Sequence, residues 1–409
     1  MLTLEQARAL VLEAASTLPP PTIETLRLED AVGRVLAESV VAPRAVPGFA
    51  CSAMDGYALR LADLVQSGDA TLREDGATLA GATEVAPLQP RACRRITTGA
   101  PIPEGADTVV MHERTRRVEH SAGDVRIEFQ ALPETGANIR AASDDFAAGY
   151  TALVDGERLD AVAIAAAVSL GFNRVRVRDA PRVAVLTTGD ELLPAGAEWR
   201  HGLRYDSNGP LLEGLLGNCG FRAVQRGHVR DDPDAVRTAL RSAVSAHSLV
   251  LVTGGVSAGE ADHLPALCRE LGAVLFWKLH FRPGMPALLA RIGDSLVFGL
   301  PGNPVSVLAT FVALVRPVLA RWMRCPALDP PATLARLDGP VWKRHDRLEW
   351  RRGTLRIDSL GVARVTPHAS LSSGAQRSLL ESNVLLELAA DSCEFDTDSL
   401  VPVRRWNLS

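Results

Sequence analysis

Residues 248–262, SLVLVTGGVSAGEAD, carry an apolar strand-like run into a glycine turn and then into two carboxylates. The same order recurs twice. RVAVL leads into Thr187-Thr188-Gly189-Asp190-Glu191, and SLVFG leads into Leu300-Pro301-Gly302-Asn303-Pro304-Val305-Ser306. A strand, a glycine turn and a helix start set backbone N–H groups and a positive helix end at the carboxyl edge of a sheet, where phosphates and other oxyanions bind. Three such loops within about a hundred and twenty residues predict one ligand pocket on one open α/β sheet.

From residue 181 to 326 strand-like runs alternate with helical segments. RVAVLT, FRAVQRGHV, SLVLVTGG, AVLFWKLHF and SLVFGL are interleaved with PLLEGLLGNCG, DDPDAVRTALRSAVSA and HLPALCRELG and followed by PVSVLATFVALVRPVLARWM. Such alternation predicts a central doubly wound, mainly parallel sheet with helices on both faces. Residues 47–145 have a different texture, short β-like runs between many Gly and Pro, which predicts an inserted β-rich domain. The flanking segments 1–46 and 146–180 read together as a helical linking domain, the second holding LDAVAIAAAVSLG stopped at Gly171. After the Pro-rich ALDPPATLARLDGP, alternating segments over 330–409 predict a small C-terminal β domain. The expected class is multi-domain α/β.

The formal net charge of −4 does not supply the broad basic face that non-specific nucleic-acid binding needs. No apolar run is expected to reach the roughly 18 residues of a membrane span, because Arg316 interrupts the stretch after Pro304. The acidic, helical start MLTLEQARALVLEAAS lacks the basic region and cleavage site of a signal peptide. A cytoplasmic protein without nucleic-acid or membrane partners is expected. Its six cysteines form no CxxC pair and sit mostly in apolar contexts, as buried reduced thiols do. Of 44 basic residues only Lys278 and Lys343 are lysine, which singles out Lys278 in FWKLHFRPG, between the second and third loops.

The loop at 253–262 has no G-x-G-x-x-G spacing and no following G-K-[ST], which disfavours dinucleotide and P-loop chemistry. It offers consecutive N–H donors with the hydroxyls of Thr253 and Ser257, and Glu260 and Asp262 follow. Asp262 fits a helix cap as well as a ligand. Asp190 and Glu191 repeat the pairing of an anion-cradling turn with acids. Acids beside phosphates repel unless a divalent cation mediates, a combination that points to Mg²⁺. In Asp231-Asp232-Pro233 the second acid reads as a helix cap with the proline at the first helical position, leaving Asp231 as the metal-site candidate. Tyr205-Asp206-Ser207-Asn208 also fits a cap. In the N-terminal half, the turns around Asp55, around Thr98, and around Arg140 with Asp144 and Asp145 each fit an ordinary loop. The nine histidines form no H-x-x-x-H or H-E-x-x-H pattern, so zinc hydrolysis has no support.

Taken together, SAMDGYALR (52–60), RRITTGAPIPEGADTVVMHE (94–113), NIRAASDD (138–145), TTGDEL (187–192), YDSN (205–208), VTGGVSAGEADH (252–263), FRPGMP (281–286) and LPGNPVS (300–306) resemble the molybdopterin molybdenumtransferase, or MoeA-type, family, which includes the E domain of gephyrin-like proteins. The matching stretches follow in order along nearly the whole chain. LSSGAQRSLLESNVLLELAA resembles the family's last domain.

The resemblance implies an elongated four-domain subunit and a homodimer with its active site built across the interface. It also implies a central domain of the molybdopterin-binding type, shared with the molybdopterin adenylyltransferases, with which a transient contact is expected. The implied reaction inserts molybdate into the dithiolene of adenylylated molybdopterin, cleaving the pterin–AMP pyrophosphate and releasing AMP and molybdenum cofactor. Carried over by motif, Asp55 and Thr98 reach the site from the partner subunit, and Arg140 and Asp145 flank it. Glu191, Asp231 and Asp262 serve Mg²⁺ or phosphate, while Lys278, Arg282, Pro301 and Pro304 shape the oxyanion end. Thr188, Gly189, Ser207, Thr253, Gly254, Gly255, Ser257, Gly259, Gly302 and Asn303 complete the cradle for the pterin nucleotide.

Three departures stand out. Ala50-Cys51 replaces Asp-Asn, Ser143-Asp144-Asp145 replaces Gly-Glu-Asp, and Met285 removes the second lysine of Lys-Pro-Gly-Lys-Pro, which either lowers molybdate affinity or leaves the charge to another residue such as an arginine of the C-terminal domain. Two other readings stay open: the adenylyltransferase reaction of ATP with molybdopterin, and a non-catalytic paralogue that binds pterin or acts as a scaffold.

Overall fold

The computed structural model describes residues 1–67, 70–119, 124–131, 133–222, 224–256 and 263–408. Contacts divide the chain into two compact units, Met1–Glu38 with Asp155–Asp160 and Val175–Ser409, and Ser39–Val154 with Ala161–Arg174. The division runs through both segments read together as a linking domain, and residues 1–38 fall with the central block.

The first unit contains the doubly wound sheet. In chain order its strands are β1 (Val183–Thr188), β2 (Val224–Val229), β3 (Leu249–Thr253), β4 (Ala273–Trp277), β5 (Leu288–Ile292) and β6 (Ser295–Leu300). They lie in the order β2-β1-β3-β6-β5-β4. The pairs β1–β2, β1–β3 and β3–β6 are parallel, and β5 runs antiparallel to both of its neighbours. The helices of this unit are α1 (Leu4–Ala15), α2 (Asn208–Asn218), α3 (Pro233–Ala246), α4 (Leu264–Leu271) and α5 (Pro304–Trp322). Successive strand residues face opposite sides. Val183, Val185, Leu249, Leu251, Leu296 and Phe298 enter one core with α1, α2 and α5. Ala184, Val250, Val252 and Val297 enter another with α3 and α4. Both faces are covered, so the strands read as unbroken apolar runs.

α1 opens with a reciprocal cap, Thr3 Oγ accepting from the Gln6 N–H (3.2 Å) and Gln6 Oε1 from the Thr3 N–H (3.0 Å). It buries Leu4, Ala7, Val11 and Ala14 at three- and four-residue spacing. α5 contains a wide π turn at Phe311–Val315. Pro317 has no N–H for the carbonyl four residues back, and Arg8 of α1 donates to that Ala313 oxygen instead (3.0 Å).

α5 also corrects a reading from sequence. By length and composition it could cross a membrane, and 89% of its most apolar window is buried inside the protein. Arg316 does not interrupt it. The guanidinium is only 1% exposed, lies 3.2 Å from the Asp329 carboxylate and donates to the Arg405 carbonyl (2.7 Å). A buried charge so paired is compatible with a continuous core helix.

The C-terminal strands β7 (Thr333–Leu337), β8 (Leu348–Ile357), β9 (Ala363–Pro367), β10 (Val384–Leu388) and β11 (Leu400–Arg404) close into a barrel in the order β8-β9-β7-β11-β10-β8. Closure removes the sheet edges. Its core of Ala335, Leu337, Val365, Leu386, Val401 and neighbours is separate from the two sheet cores. The two-residue strand Phe281–Arg282 pairs with the start of β8, Arg282 opposite Glu349, which brings the FRPGMP segment to the barrel.

The second unit holds a six-stranded sheet in the order Thr108–Met111, Gly56–Leu59, Ala92–Ile96, Thr71–Thr78, Val125–Phe129, Thr115–Glu119. The helix Ala161–Ser169 stops at Gly171, whose φ of +92° only glycine adopts without strain. All six cysteines are free, five of them buried and Cys393 exposed. Burial pushes the thiols of Cys219 and Cys268 up to about 12, as in inert core residues.

Candidate active site

The three glycine loops meet where the sheet order reverses between β1 and β3, at the carboxyl ends of the strands. They line a cavity of about 340 Å³ whose walls include Thr188, Gly189, Glu191, Asn208, Asp231, Thr253, Gly254, Gly255, Pro301, Gly302 and Asn303. Gly189, at φ +145°, allows the Glu191 carboxylate to fold back over the turn, since a Cβ there would stand 2.5 Å from Glu191 Oε2. Gly254 and Gly255 have φ of +94° and +64°. The amide donors are not all free: the Gly254 N–H donates to the Leu300 carbonyl (3.2 Å). Thr253, only 2% exposed, donates to the Pro301 carbonyl (2.9 Å).

Two polar atoms of this wall are buried and unpartnered among the described residues, Thr188 Oγ and Asn208 Oδ1. The orientation of Asn208 is fixed. Its Nδ2 donates to the Gly302 carbonyl (2.7 Å) and to Thr253 Oγ (3.0 Å), so the amide oxygen must face the other way. A buried hydroxyl and a buried amide oxygen without partners are costly unless a ligand or water satisfies them.

Acids lie along the same cavity. Asp190 and Asp231 are clamped together, each carboxylate accepting the other's backbone N–H (3.2 and 3.4 Å), and Arg230 lies 3.7 Å from Asp190. Asp232 caps α3 by accepting from the Ala235 N–H (2.8 Å), as the sequence predicts. No group of three metal-ligating side chains occurs among the described residues. The donor set still suits Mg²⁺, which takes one or two carboxylates and draws its remaining ligands from phosphate and water. Glu191 and Asp231 would hold it.

A second cavity of about 230 Å³ shares Pro286, Pro301 and Asn303 with the first. Arg282, Met285, Arg347, Glu349, Arg351 and Arg352 line it. Glu349 is 3% exposed, with Arg351 Nε at 3.1 Å, His345 Nε2 at 3.3 Å and Arg282 Nε at 3.9 Å. Burial, and next the repulsion of Arg282 and Arg347, hold His345 below its usual value, against the pull of Glu349. Four guanidiniums against one carboxylate leave this cavity positive, an environment for an anion.

The structure thus gathers Thr188, Gly189, Glu191, Asp231, Thr253, Gly254, Gly255, Pro301, Gly302 and Asn303 at one cavity and Arg282 at its neighbour. Ser257, Gly259 and Asp262 lie outside the described residues. Ser207 does not line the cavity; it stands half-buried before α2, without a side-chain capping bond, and Asn208 takes the wall position. Pro304 begins α5 and Lys278 lies behind the wall, its ammonium 4.4 Å from the Trp277 ring, whose indole N–H donates to the Val256 carbonyl. Asp55, Thr98, Arg140 and Asp145 belong to the second unit. There Thr98 donates its N–H and its hydroxyl to Asp55 (2.6 and 2.9 Å), Arg140 pairs with Asp144 (3.1 Å), and Asp145 is exposed. Asn208, Arg347, Glu349, Arg351 and Arg352 are among the polar wall residues that sequence reasoning did not select. Asn208 carried a signal in YDSN, and the arginines only the general one that Met285 leaves a charge to be supplied from the C-terminal domain.

These features define a doubly wound α/β protein with a polar ligand cavity at the switch point of its sheet, joined to a C-terminal barrel. A family profile described as the MoeA N-terminal region (domain I and II) matches residues 2–171, and one described as a probable molybdopterin binding domain matches residues 184–321. A molybdopterin molybdenumtransferase of Haemophilus influenzae is 35% identical over 100% of this chain and 99% of its own. A molybdopterin molybdenumtransferase 2 of Mycobacterium tuberculosis is 33% identical, covering 94% and 95%. The crystal structure of the molybdopterin biosynthesis MoeA protein of Pyrococcus horikoshii superposes with a TM-score of 0.82 at 27% identity, covering 98% and 99%. The chain belongs to the molybdopterin molybdenumtransferase family.

Proposed function

We propose that this protein is the transferase that inserts molybdenum into molybdopterin during cofactor biosynthesis, and that its substrate is the adenylylated pterin. Two dissimilar cavities with a common wall support this reading. The first offers a hydroxyl, an amide oxygen and two carboxylates for a pyrophosphate-linked nucleotide; the second offers surplus positive charge for the molybdate dianion. The observation that carries the reading is the pair of buried atoms without a partner among the described residues, Thr188 Oγ and Asn208 Oδ1. The Thr188 hydroxyl donates to a phosphate oxygen, and Asn208 Oδ1 accepts from a ribose or pterin donor.

Cleavage forms a bond from water oxygen to phosphorus and breaks the bridging P–O bond, releasing AMP. Glu191 and Asp231 would hold a divalent cation, and such an ion would supply positive charge against the leaving phosphate. Arg282 orients molybdate from the second cavity, with Lys278 adding positive potential from behind the wall. A homodimer in which Asp55 and Thr98 complete the site from the partner subunit is part of the proposal, supported by the family's motif pattern. The six free cysteines suit a reducing compartment, the cytoplasm.

The test is to incubate the purified protein with adenylylated molybdopterin, Mg²⁺ and molybdate. Molybdate-stimulated AMP release is the expected result. Pyrophosphate release from ATP and molybdopterin would instead make it an adenylyltransferase, and neither product would leave a pterin-binding scaffold. Glu191→Gln and Asp231→Asn are each expected to raise the Mg²⁺ concentration needed for half-maximal AMP release about 10-fold or more.

A further inference from the structure

A third cavity, of about 290 Å³, lies on the other side of β1 from the glycine loops. Thr187 and Thr188 are successive strand residues, so their side chains face opposite ways, Thr188 to the first cavity and Thr187 to this one. Leu192 belongs to both walls. Val185, Leu192, Leu193, Pro194 and Pro210 make the third cavity largely apolar, and its volume suits one ring system better than a whole nucleotide.

One carboxylate interrupts that apolar wall. Asp206 Oδ1 accepts from the Gly209 N–H (3.0 Å) and Oδ2 from the Thr187 hydroxyl (3.2 Å). Thr187 is 1% exposed, and with its hydrogen given to Asp206 its oxygen can only accept; His228 Nδ1 is the donor facing it at 3.5 Å. Gly209 permits this packing, because a Cβ there would stand 2.7 Å from Asp206 Oδ2. The carboxylate is thus held still. Among the described residues no lysine or arginine pairs with it, and Arg226 in the same wall is taken by Glu213 (3.1 Å). Each carboxylate oxygen keeps a lone pair free, and in an apolar slot that arrangement calls for two parallel N–H donors.

An adenine edge does not supply them: its amino group stands beside a ring nitrogen that only accepts, which a carboxylate repels. The pyrimidine edge of a pterin does, with an amino group beside a ring N–H. The geometry points to this slot as the subsite for the pterin ring, with Asp206 reading its edge. The inference rests on the pterin nucleotide proposed above as substrate, and it sets the ring across Leu192 from the pyrophosphate. Guanine shares the same edge, and binding measurements separate the two.

Fluorescence titration of the intact protein with free pterin, and calorimetric titration with guanosine and with AMP, test it. Asp206→Asn keeps one acceptor oxygen but turns an amino group toward a ring donor, so pterin affinity is expected to fall about 10- to 100-fold while AMP affinity holds. Ala195→Trp fills the slot from its exposed rim without touching the carboxylate, and should weaken pterin binding as much. Loss of AMP binding in place of pterin binding gives the slot to adenine and overturns the assignment. Guanosine binding tighter than pterin, and lost in the same variants, overturns it too. So does wild-type pterin affinity in either variant, or no pterin binding to the unaltered protein. Molybdate-stimulated AMP release is scored separately. Release by an unaltered protein whose pterin binding ignores both substitutions sinks the slot and leaves the transferase reading. Pterin binding lost in both variants, without AMP release by the unaltered protein, does the reverse.

Discussion

The Thr188 hydroxyl lies 2.5 Å, and the Thr188 carbonyl oxygen 2.6 Å, from the point where a Cβ on Gly254 would stand. The hydroxyl can rotate away, but the carbonyl belongs to β1 and cannot. The φ of +94° at Gly254 adds strain for any other residue. Gly254→Ala is therefore expected to destabilise the protein by about 2–4 kcal/mol and to weaken AMP binding. Gly302→Ala is the control, because its nearest neighbour would be Gly254 Cα at an ordinary 3.9 Å. Urea unfolding should separate the two variants clearly; equal midpoints would mean that the loops are not in contact as described.

The hydroxyl of Thr188 itself has no partner among the described residues although the residue is 7% exposed. Thr188→Val keeps the shape and removes an unpaired polar atom. Stability should hold or rise by about 1 kcal/mol, while AMP affinity falls about 10-fold. A hydroxyl with a purely structural role predicts the opposite, a less stable protein with unchanged affinity. Thermal unfolding and calorimetry on one sample distinguish them.

The glycine loops and the α/β alternation were legible because both are local. A strand buried on two faces writes an apolar run, and a turn at positive φ writes a glycine. Asn208 was passed over because YDSN also spells a helix cap, and its tie to Gly302 spans 94 residues. Arg282 was selected through FRPGMP, but which arginines of the C-terminal domain join it, Arg347, Arg351 and Arg352, was illegible for the same reason. Nothing near Arg347 indicates that Phe281–Arg282 will pair with the barrel at Leu348 and Glu349. Arg316 was read as interrupting the apolar run because its partner Asp329 lies beyond the helix, and only the fold brings Arg8 to the same carboxylate.

That triad gives an ordering of mutational costs. Asp329 accepts from Arg8 at 2.7 Å and faces Arg316 at 3.2 Å. Arg316→Met removes one cation, fills similar volume and leaves Asp329 paired with Arg8, so the expected loss is about 1–3 kcal/mol. Asp329→Ala strands the fully buried Arg316 and should cost more, about 3–5 kcal/mol. Equilibrium urea unfolding checks the order. A larger loss in Arg316→Met than in Asp329→Ala contradicts the pairing.

Asp55 and Thr98 yield a pH dependence. The backbone N–H of Thr98 is the largest cause holding Asp55 below the usual 3.8; the Thr98 hydroxyl comes next, opposed by weak desolvation and aided by Arg95 and His112. A carboxyl depressed in the folded state contributes stability that is present above its unfolded value and is lost as pH falls through its folded value. The turn should therefore stay closed from neutral pH down to about 3.8 and open only below it. In an NMR titration the Thr98 amide shift should move with a midpoint under 3.8. Thr98→Val deletes only the hydroxyl bond, so the midpoint should rise part of the way and stay depressed by the remaining amide. A return to 3.8 in that variant would mean that the side chain, and not the backbone, holds Asp55 ionised.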